Sequence, residues 1–327
     1  MVKCNVYDFD GTIYKRDSTI DFYLYSLRKR PLIIRFFFKQ IFGLVKFLFG
    51  KINTKELKEV FFCYVKDLKD IDQLIESFWD KKQKKIYDYY KKRHRKNDIV
   101  ISASPLFLVE PMTKRLNIQT VIATNMDKKT GKINGENCRG EEKVNRLKEL
   151  YKDIEIDNFF SDSLSDTPLA LLAKKAYIIK KGKVIDWKKY KPSKISKLIK
   201  QFLDKSFLLF LIVGVINTFN GVLFAYLYSL VINNDNIAFI VGYITSLTIS
   251  YFLNSFIAFK ENLSFKKYIK FAISYIPNFI IQNLCVIIFL NILNLHKLIA
   301  YTIAAIIGIP VTYLCIKLFA FKKKNKK

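Results

Sequence analysis

Cysteine and acid are scarce in this chain, and each shortage excludes something. The five cysteines (Cys4, Cys63, Cys138, Cys285, Cys315) are scattered, odd in number and free of CxxC spacing. Neither a disulfide framework nor a zinc site is supported, and reduced thiols in a cytosolic setting are expected. Asp and Glu number 28 against 56 Lys and Arg, a formal charge of +28. From Phe207 onward only Asp235 and Glu261 are acidic. No acid falls inside the long apolar runs of that region, which argues against a proton-coupled pump. No secretory signal precedes Asp8, so the polar half is expected on the cytoplasmic side.

Hydrophobic residues make up 51% of the 327 positions, and they are unevenly spread. The first 206 residues hold most of the charge and the rest most of the apolar mass, which suggests a soluble basic domain tethered to a membrane domain. The cluster Lys81–Lys96 (KKQKKIYDYYKKRHRK) has the cations and tyrosines that single-stranded nucleic acid would use. Beside a membrane domain the expected partner is anionic lipid instead, each cation near such a surface contributing about 1 kcal/mol. A solvated helix face is the plainer alternative, and nucleic acid is not expected.

Residues Asp8-Phe9-Asp10-Gly11-Thr12 follow a short β-branched run, Val2 to Tyr7. Side chains alternate along a strand, so both carboxylates converge only if the chain turns at Asp10-Gly11, and glycine permits that turn. One acid can then attack phosphorus while its neighbour handles the leaving-group proton. After Thr12 the pattern is helical to about Lys96. Strand patterns follow at 98–102, 120–123, 159–162 and 176–179, with helices at 105–116, 141–151 and 166–173 and a hairpin-like turn at 129–135. This alternation predicts an α/β doubly wound, Rossmann-like parallel sheet, whose ligands gather at the carboxyl ends of its strands.

Asp8, Asp10, Ser102 and Asp162 all close strands, and Lys143 opens a helix behind Gly140-Glu141-Glu142. Two acids near a third and fourth, Asp162 and Asp166, cannot all stay ionised without a cation, and an oxygen-only set suits Mg²⁺. Plainer roles are open to some of them: Asp166 as an N-cap before Pro168, Ser102 as a cap, with Ser104 the better cap ahead of Pro105.

Four motifs in order resemble the haloacid dehalogenase superfamily, in its phosphoserine-phosphatase-like branch. They are Asp8-Phe9-Asp10-Gly11-Thr12, Ile101-Ser102-Ala103-Ser104-Pro105, Gly140-Glu141-Glu142-Lys143 and Ser161-Asp162-Ser163-Leu164-Ser165-Asp166, and the likeness covers residues 1–187. The resemblance implies that Asp8 is the nucleophile and becomes an aspartyl phosphate. Asp10 serves as acid and then base, and Ser102 and Lys143 hold the phosphoryl oxygens. It also implies a Mg²⁺ site from Asp8, Asp162 and the main-chain carbonyl of Asp10, with Asp166 supporting it. The stretch of about 14–96 stands where that branch has a helical cap. Within it, 31–49 reads as one helix, apolar all round except for a stripe of Arg35, Lys39 and Lys46. It is too short and charged for a comfortable span, and fits either an interfacial helix with snorkelling cations or the core of the cap.

A basic linker at 188–206 leads to four apolar stretches, about 207–232, 237–259, 268–293 and 298–320, each long enough to span a bilayer. Lys260, Lys266, Lys267 and Lys270 follow the second stretch, whereas Asn233–Asn236 after the first carries no cation. With the basic tail at 322–327, positive-inside counting puts both termini in the cytoplasm. Polar residues recur at helical spacing: Asn217 with Asn220; Ser246, Ser250 and Asn254; Asn278 and Gln282. Such rows serve as packing glue or as a substrate path. Val213-Gly214-Val215-Ile216-Asn217-Thr218, Tyr251-Phe252-Leu253-Asn254 and Thr312 with Lys317 and Phe321 resemble the GtrA-like four-span family. That resemblance implies an all-α membrane domain at 207–321, linked to moving polyprenyl-phosphate-linked sugars. The combined expectation is a membrane-tethered Mg²⁺ phosphomonoesterase acting on a lipid-linked or cell-envelope phosphate. The alternative is a polyprenyl-phosphate-linked sugar carrier with an accessory phosphatase.

Overall fold

The computed structural model describes residues 2–192, 202, 204–289 and 296–321. Most of the expected basic linker, the end of the third apolar stretch (290–293) and the basic tail lie outside the described residues. The chain divides into two units, Met1–Lys191 and Pro192–Lys327.

In the first unit, six strands form one sheet: β1 (Val2–Tyr7), β2 (Ile99–Pro105), β3 (Thr120–Thr124), β4 (Ile154–Ser161), β5 (Ala173–Lys180) and β6 (Lys183–Asp186). Their order is β3-β2-β1-β4-β5-β6, parallel throughout except for the antiparallel pair β5/β6. Chain order reverses between β1 and β4, so the carboxyl end of β1 is the topological switch point where such sheets bind ligands. The central strands are apolar on both faces because both are covered. Val6, Ile101 and Phe159 pack with Leu147 and Leu169 on one side. Tyr7, Val100 and Phe160 share the other core with the aromatics of the cap.

The cap occupies the β1–β2 connection as α1 (Ser18–Lys29), a 3₁₀ turn (Pro31–Phe36), α2 (Phe37–Leu48), α3 (Thr54–Phe61), a second 3₁₀ turn (Phe62–Asp67), α4 (Ile71–Lys82) and α5 (Asp88–Arg93). Local sequence sets the starts. Asp17 caps α1 through the Ile20 amide, and Asn53 and Glu56 close a reciprocal capping box on α3. The cap closes over an aromatic cluster in which Phe9, Tyr14, Phe22, Phe78 and Trp79 are fully buried. Three further helices, α6 (Leu106–Arg115), α7 (Glu141–Leu150) and α8 (Thr167–Leu172), complete the layers.

The single helix expected over 31–49 is instead two segments. Ile33 is buried and Phe36 packs on the same core, and a three-residue turn stacks positions three apart on one edge. Arg35 falls within that turn and pairs with Asp67 at 2.6 Å, so it leaves the stripe of Lys39 and Lys46.

In the second unit, four helices among the described residues are long and apolar enough to cross a membrane: Lys205–Ser229, Asp235–Phe259, Phe265–Ile287 and Ile303–Ala320. Ser246, Ser250 and Asn254 are buried, as their four-residue spacing predicts. Ser246 Oγ donates to Asn217 Oδ1 at 2.9 Å, joining the first two spans. Asn217 thus links the first helix to the second. Gly242 lets the same helices touch, since a Cβ there would lie 2.6 Å from the Ala225 nitrogen. Gly242→Val should push this pair apart, costing about 1–3 kcal/mol as overpacking does. A lowered thermal midpoint of the detergent-solubilised protein checks this, and an unchanged midpoint contradicts the packing.

Candidate active site

β1 ends at Tyr7, and the chain keeps its course only as far as Asp8, whose amide donates to the Phe160 carbonyl at 2.9 Å. It then turns at Gly11, which has φ of 70°. A side chain at that position would run into the Asp162 carboxylate, so both backbone freedom and space require glycine. Asp8, 8% exposed, accepts from Lys143 Nζ at 2.7 Å. The same ammonium donates to Asp166 Oδ2 at 2.8 Å, an oxygen that also accepts from Ser161 Oγ at 2.8 Å. Asp166 therefore makes no capping bond to the helix behind it; its carboxylate belongs to the Lys143 cluster.

Asp10 is held at both oxygens. Oδ1 accepts from the Ser18 amide at 2.8 Å, at the first turn of α1, and Oδ2 from Ser104 Oγ at 2.5 Å. Ser104 is thus not the cap of α6, which begins at Leu106 behind Pro105 with no side-chain capping bond. Ser102, 1% exposed, closes the regular part of β2 and its Oγ accepts from the Ser104 amide at 3.1 Å. Asp162 follows β4, with its carbonyl taken by Lys180 Nζ at 2.5 Å.

Asp8, Asp10, Ser102, Lys143, Asp162 and Asp166 all line one cavity of about 940 Å³. Its opposite wall comes from the cap: Tyr23, Phe37, Ile41, Leu44, Leu57 and Phe61. Burial pushes the Asp8 carboxyl upward; Lys143 opposes this, while Asp166 and Asp162 add to it. Burial likewise raises Asp10 to about 6, with Asp17 adding repulsion and the Ser104 hydroxyl lowering it. Asp162 is raised mainly by burial. Burial works against the Lys143 charge, yet Asp8 and Asp166 outweigh it and hold the ammonium above the usual lysine range. Among the described residues no three acidic side chains group closely enough to enclose a metal alone. The acids that line the cavity are Asp8, Asp10, Asp17, Asp162 and Asp166.

Residues 6–171 match the description haloacid dehalogenase-like hydrolase, over half of the chain. The chain belongs to that family. Residues 209–321 of this hydrolase match the GtrA/DPMS transmembrane domain, so a hydrolase unit and a multi-pass membrane unit share one polypeptide. Protein CicA of Caulobacter vibrioides is 33% identical over 92 residues, covering 26% of this chain and 41% of that relative's length. The fold is similar to a Bordetella pertussis protein of unknown function (18% identity, 53% of this chain, 88% of that one, TM-score 0.46). It is also similar to a phosphoserine phosphohydrolase-like protein of Francisella tularensis (19% identity, 54% and 86%, TM-score 0.35).

The structure brings all six expected residues to one cavity. Sequence reasoning missed Ser18, Lys58 and the true partner of Ser104. Removing Lys143 leaves Asp8 and Asp166 facing each other, and stranding buried charge costs about 3–5 kcal/mol. Lys143→Met should therefore lower the melting midpoint of the full-length protein. Adding Asp166→Asn should restore part of the loss, because it removes the repelling partner. Strict additivity of the two losses would contradict the shared-ammonium geometry.

Proposed function

We propose that this hydrolase is a Mg²⁺-dependent phosphomonoesterase whose substrate is a lipid phosphate. The observation that carries the reading is one cavity with a carboxylate floor and an apolar cap wall. Asp8 attacks phosphorus in line, and the bond from phosphorus to the leaving oxygen breaks as Asp10 gives that oxygen its proton. Asp10, now a carboxylate, takes a proton from the water that attacks the aspartyl phosphate, which frees inorganic phosphate and regenerates Asp8. Ser102 and Lys143 stabilise the phosphoryl oxygens while charge shifts among them.

The donors suit a hard divalent cation. Lys143 is shared by Asp8 and Asp166, and Asp162 stands beside them with Lys180 as its nearest opposing charge, so three carboxylates meet two cations. Asp8, Asp162 and the Asp10 carbonyl would hold Mg²⁺, with Asp166 supporting them. The ion supplies charge neutralisation, so that an anionic nucleophile and an anionic phosphoryl group can meet.

Phe37 and Ile41 are 45% and 43% exposed, and both line the cavity. An alkyl or isoprenoid chain would cover them and gain about 25 cal/mol per Å² of apolar surface removed from water. Lysines after the second span, against none in Asn233–Asn236, favour a cytoplasmic site beside the anionic leaflet. A second reading, a carrier of polyprenyl-phosphate-linked sugars with an accessory phosphatase, is favoured by a separate cavity. Asn217, Thr218, Tyr243, Ser246 and Tyr275 line that space of about 530 Å³ within the membrane unit.

Three outcomes are expected. Asp8→Asn, nearly isosteric, should abolish Mg²⁺-dependent phosphate release with the fold intact; wild-type turnover would rule out the nucleophile. Because Asp10 titrates near 6, aspartyl-phosphate formation should slow as pH rises through that value, and its hydrolysis should slow as pH falls through it. Single-turnover quenching across this range tests both limbs, and Asp10→Asn should slow both steps. Replacing Phe37 and Ile41 together with serine should depress kcat/KM for a long-chain phosphate about tenfold or more, with little effect on a small soluble ester. Equal losses on both substrates would argue against a lipid chain in the cap.

A further inference from the structure

Lys58 of α3 reaches from the cap to the floor. Its Nζ donates to the Ala103 carbonyl, to Asn137 Oδ1 at 2.9 Å and to Thr124 Oγ1 at 3.4 Å. An ammonium has three protons, and each of these has a protein acceptor. Although it lines the cavity, Lys58 is committed to the protein and is not a free cation awaiting a substrate anion.

The carbonyl it takes is a special one. Pairing between β2 and β3 slips after Ser102: Ser102 faces Ala123, but the next pair is Pro105 with Thr124. Ala103 and Ser104 form a bulge outside the ladder, so the Ala103 carbonyl lacks a strand donor. Lys58 from the cap and Thr124 Oγ1, at 2.6 Å, supply the missing bonds. The residues flanking that carbonyl are the two serines of the site. Ser104 holds Asp10, and Ser102 sits at the floor with its Oγ on the Ser104 amide.

We propose that Lys58 is a positioning residue, a latch from the cap that fixes the Ser102–Ser104 bulge and through it the serine that orients Asp10. Burial also draws its ammonium down to about 8, with Cys138, Asp10 and Asp17 opposing the shift. The latch makes the cap part of the catalytic floor as well as its cover. Its catalytic consequence rests on the phosphatase reading above; the latch itself rests on the hydrogen bonds.

The test uses the full-length protein in detergent, p-nitrophenyl phosphate as the probe, and Lys58→Met beside Lys58→Arg. A bulge displaced by a fraction of an ångström should lower kcat about ten- to a hundredfold, with KM within about threefold. Lys58→Arg, which keeps donors at similar reach, should recover part of kcat. Amide hydrogen exchange of the segment holding 102–104 should quicken in Lys58→Met while that of β1 stays unchanged. A raised KM at constant kcat would overturn the proposal, because Lys58 would then bind substrate directly. Unchanged exchange would overturn it too, whatever the kinetics. Absent wild-type turnover would refute the phosphatase reading alone, and the exchange comparison would still decide the latch. Should Lys58→Met not fold, Thr124→Val removes the other donor to the same carbonyl, and it must shift kcat and exchange in the same direction.

Discussion

The buried Lys143 ammonium, shared between the likewise buried Asp8 and Asp166, is the constraint on which the rest of the site depends. Burying an ion costs several kcal/mol unless its partners are close and well oriented. This one has two carboxylates, the second fixed in turn by Ser161. The contact joins the end of β1, the first turn of α7 and the segment after β4, three places brought together only by the switch in strand order. Gly11 belongs to the same constraint, since any larger residue would displace Asp162 from beside the cluster.

Above this charged floor the cap sets a different chemistry. Its aromatic core is continuous with one face of the sheet, so the cap is anchored by packing and not by surface ion pairs. Exposed pairs such as Arg30–Asp70 add little. The cap turns apolar side chains into the cavity from α2 and α3, and from α3 Lys58 reaches through to the floor. A carboxylate floor beneath an apolar wall is the pairing on which the proposal of a lipid phosphate rests.

Much of this was legible in the residues themselves. Asp8, Asp10 and Asp162 stood out because strand ends, a glycine turn and the spacing of acids are local signals. The row Ser246, Ser250 and Asn254 was readable because helical periodicity survives in isolation. Ser104 was misread because a serine before proline looks like a helix start, and the bulge that turns it to Asp10 is a property of pairing with β3. The segment 31–49 was misread because Ile33 and Phe36, three apart, fit an α-helix and a 3₁₀ turn equally well. Lys58 gave no signal at all, being one lysine among many, and its contact with Ala103 spans 45 residues of sequence.

The most direct test of the central claim is to quench the wild-type protein during turnover of a long-chain lipid phosphate with Mg²⁺ and map covalent phosphate by mass spectrometry. The account predicts one acid-stable, hydroxylamine-labile phosphoryl group on the peptide that contains Asp8, lost when the substrate is exhausted. Steady release of phosphate from that lipid with no phosphoryl group on Asp8 at any time would contradict it.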